Sequence, residues 1–425
     1  MRGLDRIVVK GVLMVAFHYP PMRGSSGIQR TLKFAQYLPR SDWQPVVLSA
    51  HPRAYPDTST DQLTDTCAGP PVWRSAAWDA ARHLAIRGRY PALLAQPDRW
   101  ISWWLSAVPA GLRLIRRHRP SIIWSSYPIA TAHLVALTLH RLTGLPWVAD
   151  QRDPLTEPGY PADPRTHRIH QWIEAQAASR GAAIVCTTPG AMRACQERHS
   201  TLADGRLRLI ENGYDEDNFR DATASVRPQR EGGGQFRLLH SGLVYPSERD
   251  PRPLFAALRR LRASGEIEAD NFRLVLRAHG HEDFLRPLIA RDQIEALVEL
   301  APPLPYQHAL AEMLAADGLL LLQAANCNHQ IPAKLYEYLR AGRPLLALTD
   351  PAGDTAATLR GAGIDTIARL DSEADIAMAL SRFLRLARHG VAPLAHPDTI
   401  ASHSRAARTL ELAALFDEIA TRGNK

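Results

Sequence analysis

The stretch Asn328-His-Gln-Ile-Pro-Ala-Lys-Leu-Tyr-Glu-Tyr-Leu-Arg-Ala-Gly-Arg-Pro-Leu-Leu-Ala-Leu348 decides how this chain is read. Pro332 suits the first turn of a helix, where its missing N–H costs nothing. Leu335, Tyr338 and Leu339 then recur on one helical face. Gly342 supplies a left-handed C-cap and Pro344 blocks continuation. Leu345–Leu348 follows as an apolar strand, and Gly318–Leu322 upstream is another. Lys334 and Glu337 thus fall in a short helix between two buried strands, near the carboxyl end of the first, where open α/β sheets bind ligands. A cation and an anion one helical turn apart can serve a ligand carrying both phosphates and hydroxyls, or can form an i, i+3 surface ion pair. Lys334 is one of only four lysines in a chain that otherwise uses arginine.

Strand and helix alternate on both sides of this segment. In the first half, strands are predicted at Val12–Phe17, Pro45–Ser49, Ile122–Ser125, Trp147–Ala149, Ala183–Thr187 and Leu207–Ile210. Helices are predicted at Gly27–Leu38, Ile129–Leu142, Thr166–Ser179 and Gly190–His199. Asp221 to Gln235, with Pro228, alternating charge and Gly232-Gly-Gly234, reads as a linker. A second series follows: strands at Phe236–His240, Arg273–Ala278 and Gly318–Leu322, with helices at Pro253–Ala263 and Tyr306–Ala315. Ile376–Leu386 and Thr399–Ile419 are amphipathic helices. This order implies parallel sheets with helices on both faces. The expected division is residues 1–220, a linker at 221–235, residues 236–395, and a helical tail at 396–425.

A length of 425 residues favours two domains. No apolar run reaches the ~18 residues that span a bilayer. The basic start, Met1 to Lys10, leads into Val12–Phe17 without a small-residue cleavage site, so it reads as a first strand and the expected compartment is the cytoplasm. Cys67, Cys186, Cys195 and Cys327 lack metal-ligand spacing and read as reduced, buried thiols. The net charge of +8 favours anionic partners: phosphorylated ligands or an anionic membrane face. No nucleic-acid motif accompanies it, and nucleic acid is not an expected partner.

Three further constellations carry chemistry. Tyr19-Pro-Pro-Met-Arg-Gly-Ser-Ser-Gly27 joins a strand tip to a helix start. Its glycines and free N–H groups can cradle an anion, or form a tight turn. Trp147-Val-Ala-Asp-Gln-Arg-Asp-Pro154 places Asp150, Arg152 and Asp153 past a buried strand, where they can hold sugar hydroxyls, orient a base or pair with one another. His240-Ser-Gly-Leu-Val-Tyr-Pro-Ser-Glu-Arg249 ends a strand at Gly242; Arg249 can reach phosphates bidentately or stand as a solvated charge. The Trp100-Ile-Ser-Trp-Trp104 run, followed by Arg113, Arg116, Arg117 and Arg119, suits a membrane interface or a core helix with a basic outer face. Asp215-Glu-Asp217 matches D-x-D and reads as a solvated loop.

Together with Asn212-Gly213-Tyr214-Asp215 and Phe219, these phrases resemble the GT-B glycosyltransferases of the retaining family 4 type, over nearly the whole chain. The Asp150–Pro154 phrase is similar to a variant common in surface-polysaccharide assembly. The resemblance implies two doubly wound Rossmann-like α/β domains facing across a cleft, the first binding acceptor, the second a nucleotide sugar. It further implies a tail helix that returns to the first domain. Expected donor-binding residues are Gly27, Gly242, Arg249, Lys334, Glu337, His329, Gln330 and Ile331. Arg249 and Lys334 would hold the diphosphate and Glu337 the ribose. Expected acceptor-binding residues are Gly24, Ser25, Ser26, Tyr127 and Asp150. Asp153, Arg152, Arg249 and Lys334 are the expected catalytic groups. Two positions depart from the family pattern: His329 stands where a donor-binding Glu is usual, and Arg152 and Asp153 where a His is usual. The implied reaction is transfer of a hexose-type sugar from a UDP- or GDP-sugar, with retention and without a cofactor or required metal. The acceptor would be a saccharide, a lipid-linked intermediate or a small molecule, with peripheral membrane attachment. A nucleotide-sugar 2-epimerase and a non-catalytic nucleotide-sugar-binding protein are the alternatives.

Overall fold

A computed structural model of the chain describes residues 10–23, 26–59, 69–200, 202, 205–224 and 234–423. The first sheet contains β1 (Lys10–Val15), β2 (Trp43–Ala50), β3 (Val72–Ser75), β4 (Ile122–Ser126), β5 (Trp147–Gln151), β6 (Ala183–Cys186) and β7 (Leu207–Leu209), in the order β3-β2-β1-β4-β5-β6-β7. The second contains β8 (Phe236–Ser241), β9 (Phe272–Arg277), β10 (Val298–Ala301), β11 (Gly318–Leu322), β12 (Leu345–Leu348) and β13 (Ile367–Ala368), in the order β10-β9-β8-β11-β12-β13. Every pairing between these strands is parallel.

Parallel sheets are covered on both faces, so their strands are continuous apolar runs whose alternate residues enter different cores. In β1, Leu13 and Val15 enter one core and Val12 and Met14 the other. In β11, Leu320 and Leu322 face one side while Leu319 and Leu321 face the opposite one. Cys186, Cys195 and Cys327 are free and buried, and Cys67 lies outside the described residues.

The chain forms two compact units, residues 1–212 with 405–425, and residues 213–404. The expected boundary at 220/221 is therefore displaced. The helix Glu216–Ala224 belongs to the second unit because Phe219 and Ala222 are buried in its core. Residues 225–233 of the expected linker lie outside the described residues. Asp215, expected in a solvated loop, is 1% exposed and accepts from the Asn218 N–H (3.1 Å), as a helix-start residue does. The expected Thr399–Ile419 helix is two, Pro397–Ser402 and Arg405–Gly423. The second lays Leu412, Phe416 and Ile419 against Val12, Leu32 and Trp43 of the first unit. Asp417 is gripped there by Lys10 Nζ (2.7 Å) and Trp43 Nε1 (3.0 Å).

The tryptophan run is core. Trp103 is fully buried with Nε1 on Ser75 Oγ (2.8 Å); Trp104 Nε1 bonds Thr138 Oγ1 (3.0 Å), and Trp100 Nε1 the Ala54 carbonyl (3.2 Å). Arg113, Arg116, Arg117 and Arg119 are exposed on the outer side. No helix of the described residues is long and apolar enough to cross a membrane.

Candidate functional site

In each sheet the winding reverses once, between β1 and β4 in the first and between β8 and β11 in the second. Loops leaving the carboxyl ends of such strand pairs diverge and leave a crevice for a ligand.

In the second unit the loop after β8 carries Gly242 and Arg249, and the helix Lys334–Ala341 follows β11. Leu335, Tyr336, Tyr338 and Leu339 bury one side of that helix, and Gly342 closes it at φ 63°. Lys334 is thereby directed to the strand tips. Gly242 has φ 122°, a conformation that L side chains rarely adopt, and a Cβ there would stand 2.6 Å from Lys334 Nζ. Lys334 Nζ also lies 3.5 Å from His240 Nε2. Arg249 donates from Nη1 to the Leu243 carbonyl (2.6 Å) and covers the Tyr245 ring at 5.1 Å. Burial, then the Arg249 charge, lowers the Lys334 pKa to about 7, with Glu337 opposing. Glu337 accepts from the Tyr306 hydroxyl at 2.8 Å. Around Gln330, the backbone is pinned: its N–H donates to Cys327 O (2.9 Å), and its carbonyl accepts from Gln323 Nε2 (2.9 Å) and Thr355 Oγ1 (3.1 Å). The His329 and Gln330 side chains are exposed and Ile331 is buried.

In the first unit, Gly27 lies in the first turn of the helix Ser26–Tyr37, and a Cβ on it would meet Arg152 Nη1 at 2.7 Å. Arg152 Nη2 pairs with Asp153 at 2.6 Å, and Asp153 is half exposed. His18, past β1, has its pKa lowered to about 3 by burial and then by the Arg152 charge, so its imidazole is neutral. Gly24 and Ser25 lie outside the described residues; Ser26 opens the helix. Asp150 is not placed to meet an acceptor. It is fully buried, with both oxygens on Arg30 (Nε 3.0 Å, Nη2 2.8 Å) and one also on Ser126 Oγ (3.3 Å). Tyr127 is likewise withdrawn, at 2% exposure, and burial pushes its phenol far above the ordinary range.

The structure brings Gly242, Arg249 and Lys334 together, with Glu337 one turn on. Separately, it brings Gly27, Arg152 and Asp153 together. Sequence reasoning missed Arg30, His18 and Tyr306, and gave no role to His240. Arg30 and Asp150 are 120 residues apart with no local signal; Tyr306 stood only as a predicted helix start.

Residues 26–213 match the model of the glycosyl transferase 4-like domain. The chain carries a glycosyl transferase 4-like domain. Solved structures share the fold over essentially the whole chain. Sucrose-phosphate synthase from Thermosynechococcus elongatus is 12% identical with a TM-score of 0.66, covering 97% of this chain and 100% of its own. Anabaena Alr3699/HepE, solved with UDP and glucose, is 15% identical with a TM-score of 0.62, covering 98% and 99%. A protein described as a UDP-N-acetylglucosamine 2-epimerase from Listeria monocytogenes is 12% identical with a TM-score of 0.54, covering 96% and 95%. No curated protein matches the sequence. The chain therefore has the GT-B fold, and its glycosyl transferase 4-like domain lies in the first unit except for its last residue, Gly213.

Proposed function

We propose that this glycosyltransferase moves a hexose-type sugar from a nucleoside diphosphate sugar to a saccharide, lipid-linked or small-molecule acceptor with retention of configuration. The observation that carries the reading is the meeting of Lys334 and Arg249 beside Gly242, at the switch point of the second sheet. Two cations around a residue without a side chain suit a pyrophosphate, whose oxygens must approach backbone and ammonium together. As the bond from the sugar's anomeric carbon to the diphosphate breaks, its electron pair leaves on phosphate oxygen, and Lys334 and Arg249 stabilise the growing charge. The acceptor oxygen forms the new bond on the same face, and its proton passes to the departing phosphate. Metal is not needed where these cations neutralise the leaving group. Glu337, held by Tyr306, takes the ribose hydroxyls. In the first unit, the half-exposed Asp153 with Arg152 serves the acceptor.

HepE with UDP and glucose supports a UDP-linked donor. The decisive experiment is a thermal-shift screen with UDP, GDP and their sugars. A rise in Tm with one of them, absent in Lys334→Ala, supports the reading; no rise with any ends it. The fold shared with the epimerase favours one second reading, a 2-epimerase. Incubation with UDP-N-acetylglucosamine and no acceptor separates the two, because only an epimerase yields an epimer. We place the protein in the cytoplasm, peripheral on an anionic membrane where the acceptor is lipid-linked. The apolar side chains that would meet lipid are Ile86, Leu93 and Leu105, each more than two-thirds exposed (80, 77 and 67%), and not the buried tryptophans.

A further inference from the structure

We propose that His240 is a positioning residue for the donor phosphates, holding the Lys334 ammonium beneath the Gly242 turn through the lone pair on its Nε2. The proposal rests on the donor-site reading above. His240 is the penultimate residue of β8 and is fully buried. Its Nδ1 stands 2.9 Å from the Leu320 carbonyl on the adjacent strand β11. A carbonyl only accepts, so Nδ1 carries the proton and a neutral ring presents a lone pair at Nε2. The ring is neutral because burial, and then the charges of Lys334 and Arg249, hold its pKa well below the ordinary 6.5. The Leu243 backbone also faces the ring, and its carbonyl takes a hydrogen bond from Arg249 Nη1 at 2.6 Å. Lys334 Nζ is the donor left for Nε2, at 3.5 Å.

The ammonium is thus fixed from two sides. His240 supports it from within the sheet, and the missing Cβ of Gly242 leaves room for it at 2.6 Å from that position. The ionisable groups around it are His240 and Arg249 from β8 and its loop, and Glu337 and Tyr338 from its own helix. From the helix Tyr306–Ala315 come Tyr306, bonded to Glu337, and Glu312, paired with Arg277 at 2.6 Å. Of these, His240 is the uncharged group whose acceptor atom lies beside Lys334 Nζ, so it steers the ammonium without cancelling the charge a diphosphate needs. A carboxylate in its place would hold Lys334 more tightly and compete with the ligand.

The test uses the full chain and its four lysines, Lys10, Lys33, Lys334 and Lys425. Acylation by an amine-specific reagent across pH 5–10, read peptide by peptide by mass spectrometry, gives a midpoint for Lys334. In His240→Phe the midpoint is expected to fall by about one unit, the loss of one hydrogen bond to a charged group. In His240→Gln, whose amide oxygen restores an acceptor, it returns towards the wild-type value. With the donor sugar identified above, KM rises about tenfold in His240→Phe while kcat stays within about threefold, and His240→Gln recovers KM. An unchanged midpoint in His240→Phe, or equal defects in the Phe and Gln variants, overturns the proposal. Should His240→Phe fail to fold, His240→Asn and His240→Leu are compared in the same way. If no nucleotide binds the wild type, the donor reading falls by itself, and the labelling midpoint still decides the role of His240.

Discussion

At the reversal point of the first sheet, Arg30 meets Asp150 and Arg152 meets Asp153. At that of the second, Lys334 meets a neutral imidazole and Arg249 meets a carbonyl and an aromatic face. Both places have the same strand topology, and in both a glycine Cβ would collide with a cationic side chain: Arg152 at Gly27, Lys334 at Gly242. In the first unit positive charge is matched by carboxylates of the same chain, and its innermost pair is sealed in the core. At the reversal point of the second, Lys334 and Arg249 rest on uncharged groups with Glu337 as the nearby carboxylate, and much of their charge is left to be matched by something that arrives. Topology therefore supplies the crevice, and the choice of counter-group decides whether the crevice holds itself together or holds a ligand.

The comparison breaks most easily at Asp150. Replacing it with Ala leaves the Arg30 guanidinium buried without its carboxylate, and urea unfolding should register a loss of about 3–5 kcal/mol. A loss below about 1 kcal/mol would mean that the first crevice is not self-sealed. Lys334→Ala should behave in the opposite way. Calorimetry should find nucleotide affinity lower by about 1.5–3 kcal/mol, with stability unchanged or raised, because a crowded ammonium has been removed.

A smaller effect sharpens the same contrast through pH. Lys334 has a folded-state pKa near 7, below its unfolded value of 10.5. Between those values the unfolded chain holds more protons, so the ligand-free protein gains stability as pH rises from 7 towards 10, and Lys334→Met flattens that gain. Nucleotide binding needs the ammonium, so affinity should fall on the order of tenfold between pH 7 and 8.5. A pH-independent affinity that Lys334→Met does not alter would remove Lys334 from the contact. The smallest effect belongs to the surface. Ile86→Ser with Leu93→Ser should change unfolding by no more than about 0.5 kcal/mol. Co-sedimentation with phosphatidylglycerol vesicles should nevertheless weaken, and equal sedimentation of wild type and variant would rule out this surface as the lipid contact.

Much of this was legible in the sequence where chemistry is local. The Lys334–Ala341 helix, its buried stripe, the Gly342 cap and the Lys334–Glu337 spacing follow from periodicity and capping within twenty residues, although Pro332, expected in the first turn, lies two residues ahead of the helix. The alternation of strand and helix revealed both sheets, although β3, β10 and the two-residue β13 were too short to announce themselves. What was not legible depends on partners far apart in the chain. Asp150 read as a candidate ligand because its strand-tip position is visible and Arg30 is not. The expected unit boundary falls at 220/221, where the polar linker begins, because a nine-residue helix buries too few side chains to declare its allegiance; Phe219 settles it only in three dimensions. His240 gave no signal because a histidine two residues before a glycine is unremarkable until its ring is seen against Leu320 and Lys334.

The helix Arg405–Gly423 completes the first unit after the second has been traversed. During synthesis, the interposed lobe leaves the ribosome as one continuous piece and can fold at once. The lobe begun first must wait, its Val12–Leu32–Trp43 stripe uncovered until Leu412 and Phe416 emerge. A stop just after residue 404 would therefore release a nascent chain whose finished half is the later one.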